Sequence, residues 1–150
     1  MENSVYIIKP DGMAFRDQIR AKISASGLVL ALNRVLKIPA WALAKIYPDL
    51  AQADDGLWQA TLSHMAEGES EIGIVSGTDA VCRLFHLCGH ATKPQDCAEG
   101  TIRRLYGSQT PVQVEGGKLY WKNIIHRSKD HAEAGSDLVV YVSLIAPESH

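Results

Sequence analysis

Cysteine is scarce in this chain, aromatic residues make up only 7% of it, and neither sign of charge is in large excess. Each shortage excludes a class. The three cysteines, Cys82, Cys88 and Cys97, are an odd number grouped in one segment, which argues against a secreted disulfide framework and for reduced thiols. Cys82, His86 and His90 share a helical spacing, but Cys88 points off that face and no CxxC or HExxH motif is present, so ordinary residues rather than zinc ligands are expected. Long apolar runs are also missing. The longest, Leu138 to Ala146, is broken by Ser143 and is far shorter than the ~18 residues of a membrane helix. The first residues carry no basic region leading into an apolar run, so no secretory signal is read and a cytoplasmic location is expected.

What is present is a chain of 150 residues, 46% hydrophobic and 21% charged, the profile of a single globular domain over 1–150. The formal charge of -2 hides an uneven distribution. Residues 1–79 hold seven Lys or Arg against ten Asp or Glu, residues 80–129 hold eight against three, and residues 130–150 hold none against four. A local basic concentration within an acidic chain suits a small polyanion, whereas extended nucleic acid requires a broader basic footprint.

Periodicity predicts a strand over Ser4–Ile8, a helix over Arg16–Ser26 closed by Gly27, and a strand over Leu28–Leu36. Short helices follow over Trp41–Tyr47 and Leu57–Met65, then a strand over Ile72–Ser76. Thr78 is positioned to cap the next helix, whose apolar stripe is Val81, Leu84, Phe85 and Cys88 and whose stop is Gly89. Residues 89–100 read as a polar loop, Thr101–Tyr106 as a short helix, 107–118 as a glycine-rich mobile excursion, and Lys122–His126 as the fourth strand. This order predicts an α+β fold, a ferredoxin-like split βαβ sandwich in which helices pack on a four-stranded antiparallel sheet. Such a fold hosts unrelated functions, including regulatory binding modules.

Two segments carry chemistry. In Ile7-Ile8-Lys9-Pro10-Asp11-Gly12 a buried strand ends at a lysine followed by turn residues, which fixes a cation at a sheet edge. In Asn123-Ile124-Ile125-His126-Arg127-Ser128 another apolar strand ends at a histidine, a residue mostly neutral at pH 7 with a lone pair free for attack.

These segments, with the Thr92-Lys93-Pro94 loop and Gly100-Thr101-Ile102-Arg103 between them, resemble the nucleoside diphosphate kinase family in order and over nearly the whole chain. The resemblance implies Mg²⁺-dependent, ping-pong transfer of the γ-phosphoryl group of a nucleoside triphosphate such as ATP to a nucleoside diphosphate, through a phosphohistidine on His126. It implies that Lys9 contacts the transferring group with Tyr47 beside it, that Thr92, Arg103 and Arg83 hold phosphates, and that Asn123 binds the sugar. Ser128 and Asp137 would orient His126, and Leu57 or Trp58 would offer an apolar face to the base. Mg²⁺ is expected on the nucleotide phosphates and not on protein ligands, with a homo-oligomer, hexamer or tetramer, as the assembly.

The chain departs from the family pattern at several positions. Arg127 stands where the family has glycine, and an arginine forced into a positive φ would cost on the order of 1 kcal/mol. Lys129 replaces an acidic residue, and Asp137 matches a glutamate one methylene longer. The stretch between Arg103 and Asn123 is longer than usual, which implies an insertion at about 104–121. Residues 138–150 form an atypical tail, with β-branched residues over Leu138–Leu144 where the family has a helix. The alternative to a kinase is a catalytically silent homologue that binds nucleotide or a protein partner.

Overall fold

The structure, a computed structural model, describes residues 1–146. In chain order the first half forms β1 (Glu2–Ile8), α1 (Arg16–Ala25), β2 (Val29–Leu36), α2 (Ala40–Ile46), α3 (Pro48–Ala53), α4 (Gly56–Met65) and β3 (Ser70–Gly77). The second half forms α5 (Ala80–Cys88), α6 (Ile102–Tyr106), β4 (Val112–Gln113), β5 (Leu119–Tyr120), β6 (Ile125–Arg127) and α7 (His131–Ile145). The expected sheet is present: its four strands run β2-β3-β1-β6 and every neighbouring pair is antiparallel.

The central strand β1 is buried from Ser4 onward, so it reads as a continuous apolar run. Its side chains alternate between two cores. Tyr6 and Ile8 pack with Ile19 and Ile23 of α1 and Leu84 of α5 on one face, while Val5 and Ile7 pack with Leu43, Trp58 and Tyr141 of α2, α4 and α7 on the other. Gly73, opposite Tyr6 in register, lies under the phenol ring where a Cβ would collide with it. That phenol donates to Glu71 Oε2 at 2.7 Å, and the fully buried carboxylate is neutralised by Arg16 at 2.5 Å and Arg20 at 2.9 Å.

Four expectations are corrected. Thr78 does not cap α5: Asp79 is the cap residue without a side-chain bond, and the Val81 amide donates to Glu2 Oε1 at 2.8 Å, so the acceptor comes from β1. The last strand begins only at Ile125, because Ile124 has φ 77, and it runs one residue past the histidine that was expected to end it, to Arg127. Residues 107–118 contain β4, which pairs antiparallel with β5, so this segment is part of a hairpin. Leu138–Leu144 lies within α7, capped at its start by Asp130 accepting from the Glu133 amide at 2.8 Å. Its β-branched residues are outvoted by a helical stripe, Asp137, Val140, Tyr141 and Leu144, which is buried while Val139 and Val142 face solvent. The final four residues of the expected tail lie outside the described residues. α3, absent from the predicted elements, starts at Pro48, a residue suited to a first helical position.

Candidate active site

The two chemical segments of the sequence interlock through backbone. Lys9 N donates to Ile124 O at 2.8 Å, and Ile124 N donates to the Asp11 carboxylate at 3.0 Å. Ile125 N closes back on Asn123 O at 2.8 Å, so Ile124 sits at the centre of a three-residue turn with positive φ, a conformation that costs a β-branched residue on the order of 1–3 kcal/mol. Gly12 makes this approach possible, since a Cβ there would stand 2.7 Å from Ile124 O. The strained turn therefore holds His126 and Lys9 in one fixed relation.

His126 pairs with Ile7 across the sheet and shares its face, toward α2 and α7. Its Nε2 lies 3.3 Å from Asp137 Oδ2, and Ser128 Oγ donates to that same oxygen at 2.9 Å. Burial lowers the imidazole pKa from 6.5 to about 4, against the pull of Asp137 and with help from Lys9 and Arg127. The ring is thus neutral at pH 7. With its proton on Nε2 and aimed at the carboxylate, Nδ1 keeps its lone pair. Tyr47 meets the ring edge-on with centroids 4.9 Å apart, and its buried hydroxyl has no hydrogen-bond partner among the described residues.

Away from the Asp137 and Glu133 carboxylates, the cavity beside the histidine is lined by Lys9, Arg103 and Arg127. Lys9 Nζ donates to Asn123 Oδ1 at 2.8 Å, and Asn123 Nδ2 donates to Thr92 O at 3.0 Å. Burial, reinforced by Arg103, lowers the Lys9 pKa to about 7. Arg103 donates through Nε and Nη2 to Ile125 O and through Nη1 to Ala91 O, and burial beside Arg127 lowers its pKa to about 10. A cluster of buried cations that depress one another needs an anion, and each would gain from a bound phosphate.

These groups line a cavity of about 860 Å³, within the range for a small-molecule site. Of the residues expected in the site, Lys9, Tyr47, Leu57, Thr92, Arg103, Asn123, His126 and Asp137 line it, and Ser128 is buried behind Asp137. Two do not line it. Arg83 lies two residues before Phe85 on α5, about 200° away around the helix, and its guanidinium donates to the carbonyls of Ser26 and Thr78. Trp58 is buried in the core that also holds Leu43 and Tyr141, so Leu57 alone of that pair lines the cavity. The hairpin contributes Leu119, Tyr120 and Trp121, which the sequence reading did not single out. No motif marks them in the sequence. Tyr120 is held by its hydroxyl 2.7 Å from His64 Nδ1, and His64 Nε2 in turn lies 2.8 Å from Asp11.

The carboxylates of Glu133 and Asp137 come together with His126 closely enough to share an ion, but a metal there would compete for the Nε2 that Asp137 engages. No carboxylate lies among Lys9, Arg103 and Arg127 within salt-bridge distance among the described residues. A divalent cation fits that part of the cavity only as cargo on a phosphate ligand. No described helix is long and apolar enough to cross a membrane.

The sequence profile of the nucleoside diphosphate kinase family matches residues 2–143. The nucleoside diphosphate kinase of Chlamydia trachomatis serovar L2 is 31% identical over 119 residues, covering 78% of this chain and 82% of that protein. Among solved structures, the apo nucleoside diphosphate kinase of Encephalitozoon cuniculi superposes with a TM-score of 0.78 at 26% identity, covering 99% of this chain and 95% of that one. A transition-state mimic of the Borrelia burgdorferi nucleoside-diphosphate kinase, with bound vanadate and ADP, has a TM-score of 0.79 at 21% identity, covering 99% and 92%, a likeness of fold.

Proposed function

The chain belongs to the nucleoside diphosphate kinase family, and on that premise we propose that it moves the γ-phosphoryl group of a nucleoside triphosphate to a nucleoside diphosphate through a phosphohistidine on His126. The observation that carries this reading is a buried neutral histidine with Nε2 on Asp137 and Nδ1 uncommitted, beside a cavity lined by Lys9 and Arg103. In the first half-reaction the Nδ1 lone pair attacks the γ-phosphorus, the N–P bond forms and the bond to the β-phosphate oxygen breaks, releasing the diphosphate. In the second, a terminal oxygen of another nucleoside diphosphate attacks the same phosphorus and the electron pair returns to Nδ1. No separate base is required, because the nucleophile starts deprotonated at that nitrogen.

Asp137 and Ser128 hold the ring and keep its proton on Nε2 in both halves. Lys9, whose pKa burial lowers to about 7, is held in its cationic form by a phosphate beside it, and the orphan Tyr47 hydroxyl gains a partner there. Mg²⁺ enters with the nucleotide, whose phosphates hold it, and spreads the charge of their oxygens. Leu57, with Leu50 and Leu119, offers a base an apolar surface without polar readout, which suits broad base tolerance. Asn123 and Thr92 border the place for sugar and phosphates. The free thiols suit a cytoplasmic location. Val29 and Leu32 on the edge strand β2 are more than half exposed, which supports self-association into a tetramer or hexamer.

The test is labelling with γ-³²P-ATP and Mg²⁺. Acid-labile label on the wild type that is absent from His126→Ala, and that is discharged by a nucleoside diphosphate, is the expected result. Nucleotide binding without any label would establish the silent homologue instead.

A further inference from the structure

Three cations crowd the histidine, and the third, Arg127, is the residue that follows it. Strand alternation turns Arg127 to the opposite face from His126, pairing it with Tyr6 and directing it toward α5. It still lines the same cavity, because β6 is the outer strand of the sheet and the cavity wraps round that edge. Its φ is not positive, so it sits there without the strain expected of an arginine in a glycine position.

The side chain is held on three sides. Its guanidinium carbon lies 4.4 Å from the centre of the Phe85 ring, Nε and Nη2 donate to Gly89 O at 3.2 and 3.0 Å, and Nη2 also reaches His90 O at 3.3 Å. Nη1 makes no hydrogen bond to the described residues, and no carboxylate approaches any of its nitrogens within 4.0 Å among them. An arginine that is 8% exposed, with its guanidinium stacked, oriented and left without a counter-anion among the described residues, has the attributes of an anion ligand. With Arg83 turned away to the Ser26 and Thr78 carbonyls, Arg127 is also the only guanidinium besides Arg103 that lines the cavity among the described residues.

We infer that Arg127 is a ligand of the nucleotide phosphates, its Nη1 donating to a phosphate oxygen while Phe85 and the Gly89 carbonyl fix its fork. This rests on the reading of the cavity as a nucleotide site. It assigns the second phosphate-gripping arginine to the strand that carries the nucleophile, and makes Phe85 its positioning residue. Removing one charge-assisted hydrogen bond of this kind weakens binding about tenfold or more.

The experiment titrates wild type and Arg127→Gln with ADP and, separately, with adenosine, read by the fluorescence of Trp121 in the cavity wall. The expected result is a rise of about tenfold or more in Kd for ADP with adenosine unchanged, and a smaller rise of the same pattern for Phe85→Ala. Equal weakening of both ligands means a purely structural arginine and overturns the inference, as does unchanged ADP binding. Should Arg127→Gln fail to fold, Arg127→Lys carries the same comparison, since it keeps the charge and loses the fork and the stack. Labelling of the wild type by γ-³²P-ATP is measured alongside. Its absence with selective loss of ADP binding would refute the kinase reading alone, and its presence with unaltered ADP binding would refute the role of Arg127 alone.

Discussion

Replacing Gly12 by alanine adds one methyl group at the contact that ties the lysine turn to the histidine strand. The new Cβ would stand 2.7 Å from Ile124 O, 2.9 Å from Ile124 Cγ2 and 3.0 Å from Ile8 Cγ2. None of these atoms yields easily. Ile124 O accepts from Lys9 N, Ile124 N is bound to Asp11, and the residue is already at φ 77. Reaching ordinary van der Waals contact at 3.4 Å requires a displacement of about 0.7 Å, which must move either Lys9 or the residues just before His126. Overpacking of this kind costs about 1–3 kcal/mol, or about 3–10 °C in Tm for a domain of this size. A misplacement approaching 1 Å between reacting groups costs up to about 10²-fold in rate, so phosphoenzyme formation should slow by about 10–100-fold. Rapid-quench labelling and thermal melting read the two effects. Gly135→Ala is the control: no atom lies within 4 Å of its Cβ, it sits within α7, and alanine there should raise stability by up to about 1 kcal/mol with labelling unchanged. Wild-type labelling and a Tm within 1 °C for Gly12→Ala, in the same experiment, would refute the claim that this contact sets the geometry of the site.

Three further outcomes follow from the same structure. Because burial lowers His126 to about 4, the acid limb of the labelling rate should be centred near pH 4, with activity intact through pH 6; a limb centred near 6.5 would contradict the burial argument. Asp137→Asn should reduce labelling by about 10²-fold and Ser128→Ala by less, with little change in ADP affinity, since both act by orienting His126; equal losses in affinity would count against that role. Burial would raise the Glu71 carboxyl, but bonds from Tyr6, Arg16 and Arg20 bring it below its ordinary value, so its contribution is present above about pH 4.5 and fades as pH falls. Glu71→Gln should therefore cost about 1–3 kcal/mol at pH 7 and flatten the acid side of the stability curve, as measured by urea melts across pH.

What could be read from the residues, and what could not, divides along the reach of local pattern. Lys9 and His126 were legible because each directly follows a short apolar run, Ile7-Ile8 and Ile124-Ile125, and such a run is a property of a few consecutive residues. α7 was misread over Leu138–Leu144 because propensity counts residue types, whereas the helix is decided by the spacing of Asp137, Val140, Tyr141 and Leu144, the side chains it buries. Trp58 and Leu57 show the same limit at single-residue scale, since neighbours on a helix face directions about 100° apart and only packing tells which meets the cavity. Arginine makes the point most sharply. Arg83 occupies a plausible place in the order of motifs, but the register of α5 turns it toward Ser26 and Thr78. Arg127 stands next to His126, where strand alternation in an interior strand would send the two side chains to opposite, sealed faces. They share a cavity only because β6 is the edge of the sheet, a fact of topology that no window of sequence around His126 contains. An edge strand can present both of its faces to one cavity, so histidine and arginine in succession, which inside a sheet would be unrelated, here line the same space.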